Sequence, residues 1–409
     1  MWSKKIITIL QVAVAMLLVH NVAMAQMISV SCKITGGEGK YFRLLKTSDY
    51  ISHETEQIFA GIIGKNESVN INFTNQTTEE YTLCVDFAFT NLVLQPDVMY
   101  DISLKLPQNP NTTDNPFTNP QYLEAEITSS DIYDVNNVIA QFNYDYDRLL
   151  LNNIGHIKNN NFTFHETFEK EYLQKVEHYN DAFLNTYIKY SIAATNLSLM
   201  PQDSISNIYI CNENPQYNNP AYMDFLQQYF QLYGFELNCN AQTNQQTANL
   251  ALISKIHAAF ANKMISQQKY RQYLMDVAQK STHPEIQKIC NNLINKSEKL
   301  LAGSDINDFV VLDENKKEYH LTQLATHNET YLFFFKSNLK QNVETLNNLL
   351  QKNVVVIPID MSLSPQPVDA ENIEIYLPEN VVQLNELFRI RKYPFVVVID
   401  DNRKVINFY

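Results

Sequence analysis

Glycine is scarce, at 8 of 409 residues, and neither GxGxxG nor GxxxxGK[ST] occurs. A glycine loop that cradles a nucleotide phosphate is therefore not written into this chain. Basic residues are outnumbered: 31 Lys and Arg face 44 Asp and Glu, a formal net charge of −13. That balance argues against nucleic acid, which is held by a cationic footprint that releases counterions. It also disfavours an anionic membrane surface. Cysteine occurs 5 times, at Cys32, Cys84, Cys211, Cys239 and Cys290, and no CxxC pair is present. No GxSxG string marks a nucleophilic serine, and Ser337 has no His/Asp pattern near it in sequence. His165 and Glu169 stand one helical turn apart, with His178 further on, and His320 and His327 flank a strand end. None of these reaches the ligand density of a metal centre, and all read as surface residues. We expect neither metal nor cofactor.

What is present excludes disorder: 45% of residues are hydrophobic and 11% aromatic. The length suits two or three domains, each able to bury a core. Asparagine is abundant, with 47 copies, a compositional bias that carries no chemistry. The first residues read as an export signal. Lys4 and Lys5 precede an apolar run from Ile6 to Val19, and Ala23-Met24-Ala25 supplies a small-x-small cleavage site. The mature chain is expected to start at Gln26, to be periplasmic and to have no membrane span after cleavage. An oxidising compartment permits disulfides. Cys211 and Cys239 flank one helical segment and are the disulfide candidates. Cys32 alternates with Ile28, Val30 and Ile34 and reads as a small buried apolar residue, as does Cys290 on a helix face.

Composition divides the remainder into zones. Residues 26–106 read as an antiparallel β-sandwich. Apolar residues alternate over Ile28–Ile34 and Val69–Phe73, and over one long run from Tyr81 through Phe87 to Phe89. Residues 107–120 form a Pro-rich linker containing Pro107, Pro110, Pro116 and Pro120. Residues 121–300 read as a helical domain. Phe164, Phe168, Tyr172, Val176, Tyr179, Phe183, Tyr187 and Tyr190 step by three or four, which predicts one long amphipathic helix. Asn219-Pro220 and Pro284 open two further helices. Residues 301–409 alternate strand and helix, with continuous apolar runs at Tyr331–Phe335 and Val354–Ile359, the mark of strands covered on both faces. The fold class is multidomain α+β with a C-terminal α/β unit.

The last zone resembles the thioredoxin-like domains of the TlpA/ResA and AhpC/TSA group. The resemblance rests on Leu301-Ala302-Gly303-Ser304 with Asp308-Phe309, on Leu312-Asp313, on Leu332–Phe335, and on Lys392-Tyr393-Pro394-Phe395 running to Asp400. The earlier zones resemble exported Bacteroidetes proteins that place a β domain and a helical region before such a module. Leu94-Gln95-Pro96-Asp97 and Asn219–Met223 carry that part. The resemblance implies that Pro394 is a cis-proline beside an extended-peptide groove. It also places a W-C-x-x-C motif after the first apolar strand, and here the chain departs. Asn338 stands where the tryptophan would be, and Leu339 and Asn342 stand where the two cysteines would be. Neither side chain can form a thiolate, so neither can attack a disulfide. The resulting expectation is a non-catalytic binding or assembly module for a periplasmic protein or peptide, with a groove at Asn338, Leu339, Tyr393 and Pro394. The alternative is a thiol-disulfide oxidoreductase that brings Cys211 or Cys239 to the C-terminal domain.

Overall fold

The computed structural model describes residues 26–106, 121–131, 133–155, 163–211, 213–237, 239, 244–298, 301–352, 354–362, 367–368, 373–379, 381–388, 390 and 392–409. The expected export signal and Pro-rich linker lie outside the described residues.

The N-terminal strands are β1 (Met27–Thr35), β2 (Tyr41–Thr47), β3 (Thr55–Ile62), β4 (Ser68–Thr74), β5 (Glu79–Val85), β6 (Ala88–Leu94), β7 (Met99–Lys105), β8 (Gln121–Tyr122) and β9 (Ala125–Ser129). They form one sheet in the order β4-β1-β7-β9 and a second in the order β3-β2-β5-β6-β8. Alternation supplies the shared core. Ile28, Val30, Cys32 and Ile34 from β1 pack in one cluster with Phe42, Leu44, Leu83, Val85, Tyr100 and Ile102.

Three details differ from the sequence reading. The sheets are mixed, because β1 pairs with β7 in parallel and β6 pairs with β8 in parallel. Alternation fixes which face is buried and is silent on strand direction. The strand region also runs past the expected linker, since β8 and β9 complete the two sheets. Residues 121–129 therefore belong with the β part and not with the helices. Finally, the run from Tyr81 to Phe89 is no single strand. It folds back as a hairpin in which Val85 faces Ala88. Asp86 takes a left-handed φ of 51° at that turn, a conformation Asp tolerates better than most residues. Its carboxylate secures the turn by accepting from Tyr41 N and Lys40 Nζ, each at 3.0 Å.

Eight helices follow among the described residues: α1 (Val135–Asn152), α2 (Thr163–Glu177), α3 (Ala182–Asn196), α4 (Gln202–Tyr209), α5 (Pro220–Tyr233), α6 (Gln245–Ala261), α7 (Gln267–Lys280) and α8 (Pro284–Glu298). The single long helix expected over Phe164–Tyr190 is two. Asn180 turns left-handed with φ 50°. Asp181 then caps α3, its Oδ1 accepting from Leu184 N at 2.9 Å. Both helices bury the same stripe, so the periodicity runs through the break unmarked. Asp181 Oδ2 also accepts from Gln95 Nε2 at 3.0 Å, tying the break to the β region. Asn219 caps α5 and Pro220 occupies its first turn. Its buried face carries Tyr222, Phe225, Leu226, Tyr229 and Phe230 into the largest helical core. A polar seam joins helices to sheets. Asn292 Nδ2 donates to Asp49 Oδ2 at 2.7 Å, and Gln227 Nε2 donates to Tyr50 O at 2.7 Å.

The C-terminal elements are β10 (Val310–Leu312), β11 (Glu318–His320), α9 (Leu321–Leu324), β12 (Thr330–Phe335), α10 (Lys340–Leu350), β13 (Val355–Asp360), β14 (Leu377–Pro378), α11 (Val381–Phe388), β15 (Phe395–Ile399) and β16 (Val405–Phe408). The main sheet has the order β13-β12-β15-β16. β12 and β13 run parallel, while β15 lies antiparallel to β12 and to β16. Successive side chains of β12 alternate between two cores. Phe333 and Phe335 pack with Leu346 and Leu349 of α10. Leu332 and Phe334 pack with Leu384 and Phe388 of α11. A sheet covered on both faces needs a strand that is apolar throughout, which is the composition of β12. A parallel β-α-β unit followed by an antiparallel hairpin, in this order, is a thioredoxin-like fold.

Candidate functional site

β12 ends at Phe335, at the edge of the sheet where α10 begins and where the chain enters β15. Lys336–Leu339 link β12 to α10. Leu339 is the N-cap residue of α10 and makes no side-chain cap bond. A leucine there leaves the first helical amides without the usual side-chain acceptor. It is 46% exposed, and Asn338 beside it is exposed too. Asn342 points the other way. It is buried, and its Nδ2 lies 3.5 Å from Lys336 O, a long contact inside the turn. The two positions that the resemblance matched to a redox pair hold one exposed apolar side chain and one buried amide.

The linker is held from below by the end of β13. Asp360 is 1% exposed. Its Oδ1 accepts from Ser337 N at 3.1 Å and from Ser362 N at 3.0 Å. Ser337 N also donates to Ser362 Oγ at 3.0 Å, and the two hydroxyls lie 3.3 Å apart. A buried carboxylate that collects backbone N–H groups in this way fixes loop geometry through charge-assisted bonds.

Across the sheet, the Tyr393–Pro394 peptide bond is cis. Tyr393 leads into β15, and its hydroxyl donates to Asn385 Oδ1 of α11 at 2.6 Å. Burial pushes its phenol well above the usual range, the Asn385 bond opposes this, and the Asp360 charge adds to it. Lys336 Nζ lies 5.2 Å from the centre of the Tyr393 ring, within cation–π range. Partial burial lowers its ammonium pKa. Lys336 makes no ion pair among the described residues. The structure thus joins the β12–α10 linker to the cis-proline loop through Lys336 and Tyr393.

The cysteines are elsewhere. Cys211 and Cys239 are joined with an S–S length of 2.07 Å, bracketing α5. Cys32, Cys84 and Cys290 form no disulfide and are buried in the β and helical parts. Burial pushes the thiols of Cys32 and Cys290 up to about 12, so they hold their protons at neutral pH. Disulfide exchange requires a thiolate, which burial disfavours at Cys32 and Cys290. His320 Nδ1 lies 2.9 Å from Asp308 Oδ2 at the surface, and His327 is exposed. His165 departs from the sequence reading. It is 1% exposed, and its Nε2 lies 2.6 Å from the phenolic hydroxyl Oη of Tyr146 on α1. The spacing of α2 could not show that α1 supplies a partner to take that imidazole inside. Glu169 accepts from Tyr209 at 3.2 Å. Among the described residues no three His, Cys, Asp or Glu side chains gather as metal ligands. No helix there is long and apolar enough to cross a membrane.

Sequence reasoning missed Lys336, Asp360, Ser362 and Asn385. Asp360 had a signal, as an acidic residue closing an apolar strand at a sheet end. The others had none.

No protein-family model matches the chain, and no curated protein matches it. Solved structures do. The pneumococcal exposed lipoprotein thioredoxin from Streptococcus pneumoniae is 18% identical, with a TM-score of 0.21 over 25% of this chain and 88% of that one. The thioredoxin domain of a thiol-disulfide oxidoreductase from Bacteroides vulgatus is 14% identical, with a TM-score of 0.23 over 27% of this chain and 88% of that one. A thioredoxin-like protein from Bacteroides caccae is 14% identical, with a TM-score of 0.27 over 46% of this chain and 76% of that one. Such identities carry no statement about activity.

Proposed function

We propose that this is an exported, periplasmic binding or assembly protein that uses a thioredoxin-like fold without thiol chemistry. The observation that carries the reading is the turn after β12, where Leu339 and Asn342 occupy the positions that exchange would need as thiols. The rest of that turn is built with care. Asp360 pins it, Lys336 stacks on Tyr393, and a cis bond precedes Pro394. An extended segment of a partner protein or peptide would lie along Asn338, Leu339, Tyr393 and Pro394, using main-chain hydrogen bonds for affinity and side-chain contacts for selectivity. The exported form would begin at Gln26.

The test combines turnover with binding. Insulin reduction by dithiothreitol is followed with wild type and with a variant in which all 5 cysteines are serine. Peptide arrays are probed with wild type and with Leu339→Arg, which places a bulky charge in the groove. The expected result is no rate above the uncatalysed control, together with peptide binding that Leu339→Arg abolishes. Cysteine-dependent turnover would establish the oxidoreductase reading instead. Peptide binding indifferent to Leu339→Arg would remove the groove.

A further inference from the structure

Helix α6 is apolar on more than the face it buries. Leu250 and Ile253 are fully buried in the helical core. Leu252, Ile256 and Ala259 follow one another by four and three residues, which places them on a second stripe of the same helix. On α7, Tyr270 and Leu274 point into the core, while Tyr273 and Val277 lie four apart on a neighbouring stripe. The two stripes line a cleft of about 640 Å³ between α6 and α7. Leu252 and Tyr273 are each 44% exposed there. Ile256 and Val277, each 8% exposed, belong to the helical core and floor the cleft, whereas Leu252 and Tyr273 on its walls are apolar surface that the core leaves uncovered.

The shape is elongated. Ile265, in the turn between the two helices, lines one end, and Gln245, Lys280 and His283 line the other. At 1.5 Å per residue, the stretch of α6 from Gln245 to Ala259 spans about 21 Å. The volume falls within the range of small-molecule sites. The charges are asymmetric. Lys255 and Lys280 both line the cleft and are exposed, and neither makes an ion pair among the described residues. Asp276 is the carboxylate in the lining, and it accepts from Gln272 Nε2 at 3.0 Å. A chain of net charge −13 thus presents two unpaired cations beside an apolar trough.

We propose that the α6–α7 cleft binds a linear amphiphile with an anionic head, its aliphatic chain along Leu252, Ile256, Ala259 and Tyr273 and its head between Lys255 and Lys280. A straight hydrocarbon chain matches a narrow trough two helical stripes wide, and transfer of each methylene from water favours binding. This site is separate from the groove at Pro394, and its test does not depend on that groove.

The probe is dodecanoate, measured by titration calorimetry below its micelle concentration against the exported form. Dodecan-1-ol and dodecyltrimethylammonium are the controls. Wild type is expected to prefer dodecanoate over both. Lys255→Gln with Lys280→Gln is expected to weaken dodecanoate by about fivefold to tenfold, as two exposed ion pairs allow, and to leave dodecanol unchanged. Ala259→Trp, which fills the trough, is expected to weaken all ligands at least tenfold. Leu252→Asp repeats that test at an exposed position that folding does not need, with far-UV circular dichroism as the check on structure. No binding of dodecanoate by wild type overturns the site. Binding that survives both Ala259→Trp and Leu252→Asp shows adsorption elsewhere and overturns it equally. Equal affinity for the three head groups, unmoved by the lysine changes, overturns the anionic specificity.

Discussion

Asp360→Ala tests whether the turn after β12 is pinned from below. In the native protein, Asp360 Oδ1 accepts two backbone amides, from Ser337 at 3.1 Å and Ser362 at 3.0 Å. Alanine removes both acceptors at a site that is 1% exposed. Ser362 N is then left without its acceptor, which costs about 1–3 kcal/mol for a buried donor. Ser337 N keeps Ser362 Oγ at 3.0 Å, so its loss is partial. Removing a buried charge returns some desolvation energy. The net expectation is a loss of about 2 kcal/mol in the C-terminal unit, near thirtyfold in an opening equilibrium. Asp360→Asn keeps an oxygen in place and exchanges charged bonds for neutral ones, so it should cost about 1 kcal/mol. Because the chain has several cores, one global unfolding curve is a poor readout. Hydrogen exchange followed by mass spectrometry on peptides covering residues 336–342 and 360–362 reports the turn directly. Acceleration in the order Ala, Asn, wild type is the expected outcome. Exchange in Asp360→Ala that matches wild type would refute the pin, and with it the claim that the groove floor is preorganised.

Three further perturbations follow. Burial, reinforced by the Asp224 carboxylate, raises Glu80 from 4.5 to about 7. A carboxyl raised on folding stabilises while protonated, so its contribution is complete below about pH 4.5 and is lost as pH rises through about 7. Glu80→Gln should flatten that dependence in thermal melts from pH 4 to pH 8, with a gain approaching about 3 kcal/mol at the upper end; an unchanged pH profile would contradict the assignment. Cys211→Ser with Cys239→Ser opens a bridge spanning a sequence separation of 28 residues, and loop entropy puts the loss at about 3.6 kcal/mol. Dithiothreitol on wild type should reproduce that shift in urea midpoint, and no shift from either treatment would show that the bridge does not constrain the helices. Leu339→Cys with Asn342→Cys places two thiols at the start of α10, where a helix N-terminus favours thiolate. Insulin reduction above the wild-type rate is the expected gain, smaller than that of a native exchange site because Lys336 and Asn338 are kept; the absence of any thiol titrating below the ordinary range would count against this placement.

Much of the local structure was legible in the sequence because it is set by short-range patterns. Alternation gave the buried faces of β1 and β7, and continuous apolar runs gave β12 and β13. Asn219-Pro220 announced the start of α5. The positions of Leu339 and Asn342, and of Pro394 before β15, could be read by counting along the chain. Periodicity was silent at Asn180, where both flanking helices bury the same stripe, and it misled at Asp86, beyond which Ala88 and Leu92 join the core of Leu83 and Val85 while Phe89 falls on the opposite face. It could not separate the parallel pair β1–β7 from an antiparallel one, since the same side chains are buried either way.

What the sequence determined by itself is the inventory: which residues are apolar and at what period, and that no thiol follows Cys290. What only the tertiary structure decided is which distant groups meet. His165 is a core residue because α1 brings Tyr146 to it. Lys336 meets Tyr393 because the chain entering β15 carries that ring beneath its ammonium. The α6–α7 cleft exists because two helices lie side by side with Leu252 and Tyr273 left exposed above the buried Ile256 and Val277. Each depends on contacts between segments far apart in the chain, and such contacts are fixed by how whole elements pack, which no local period encodes.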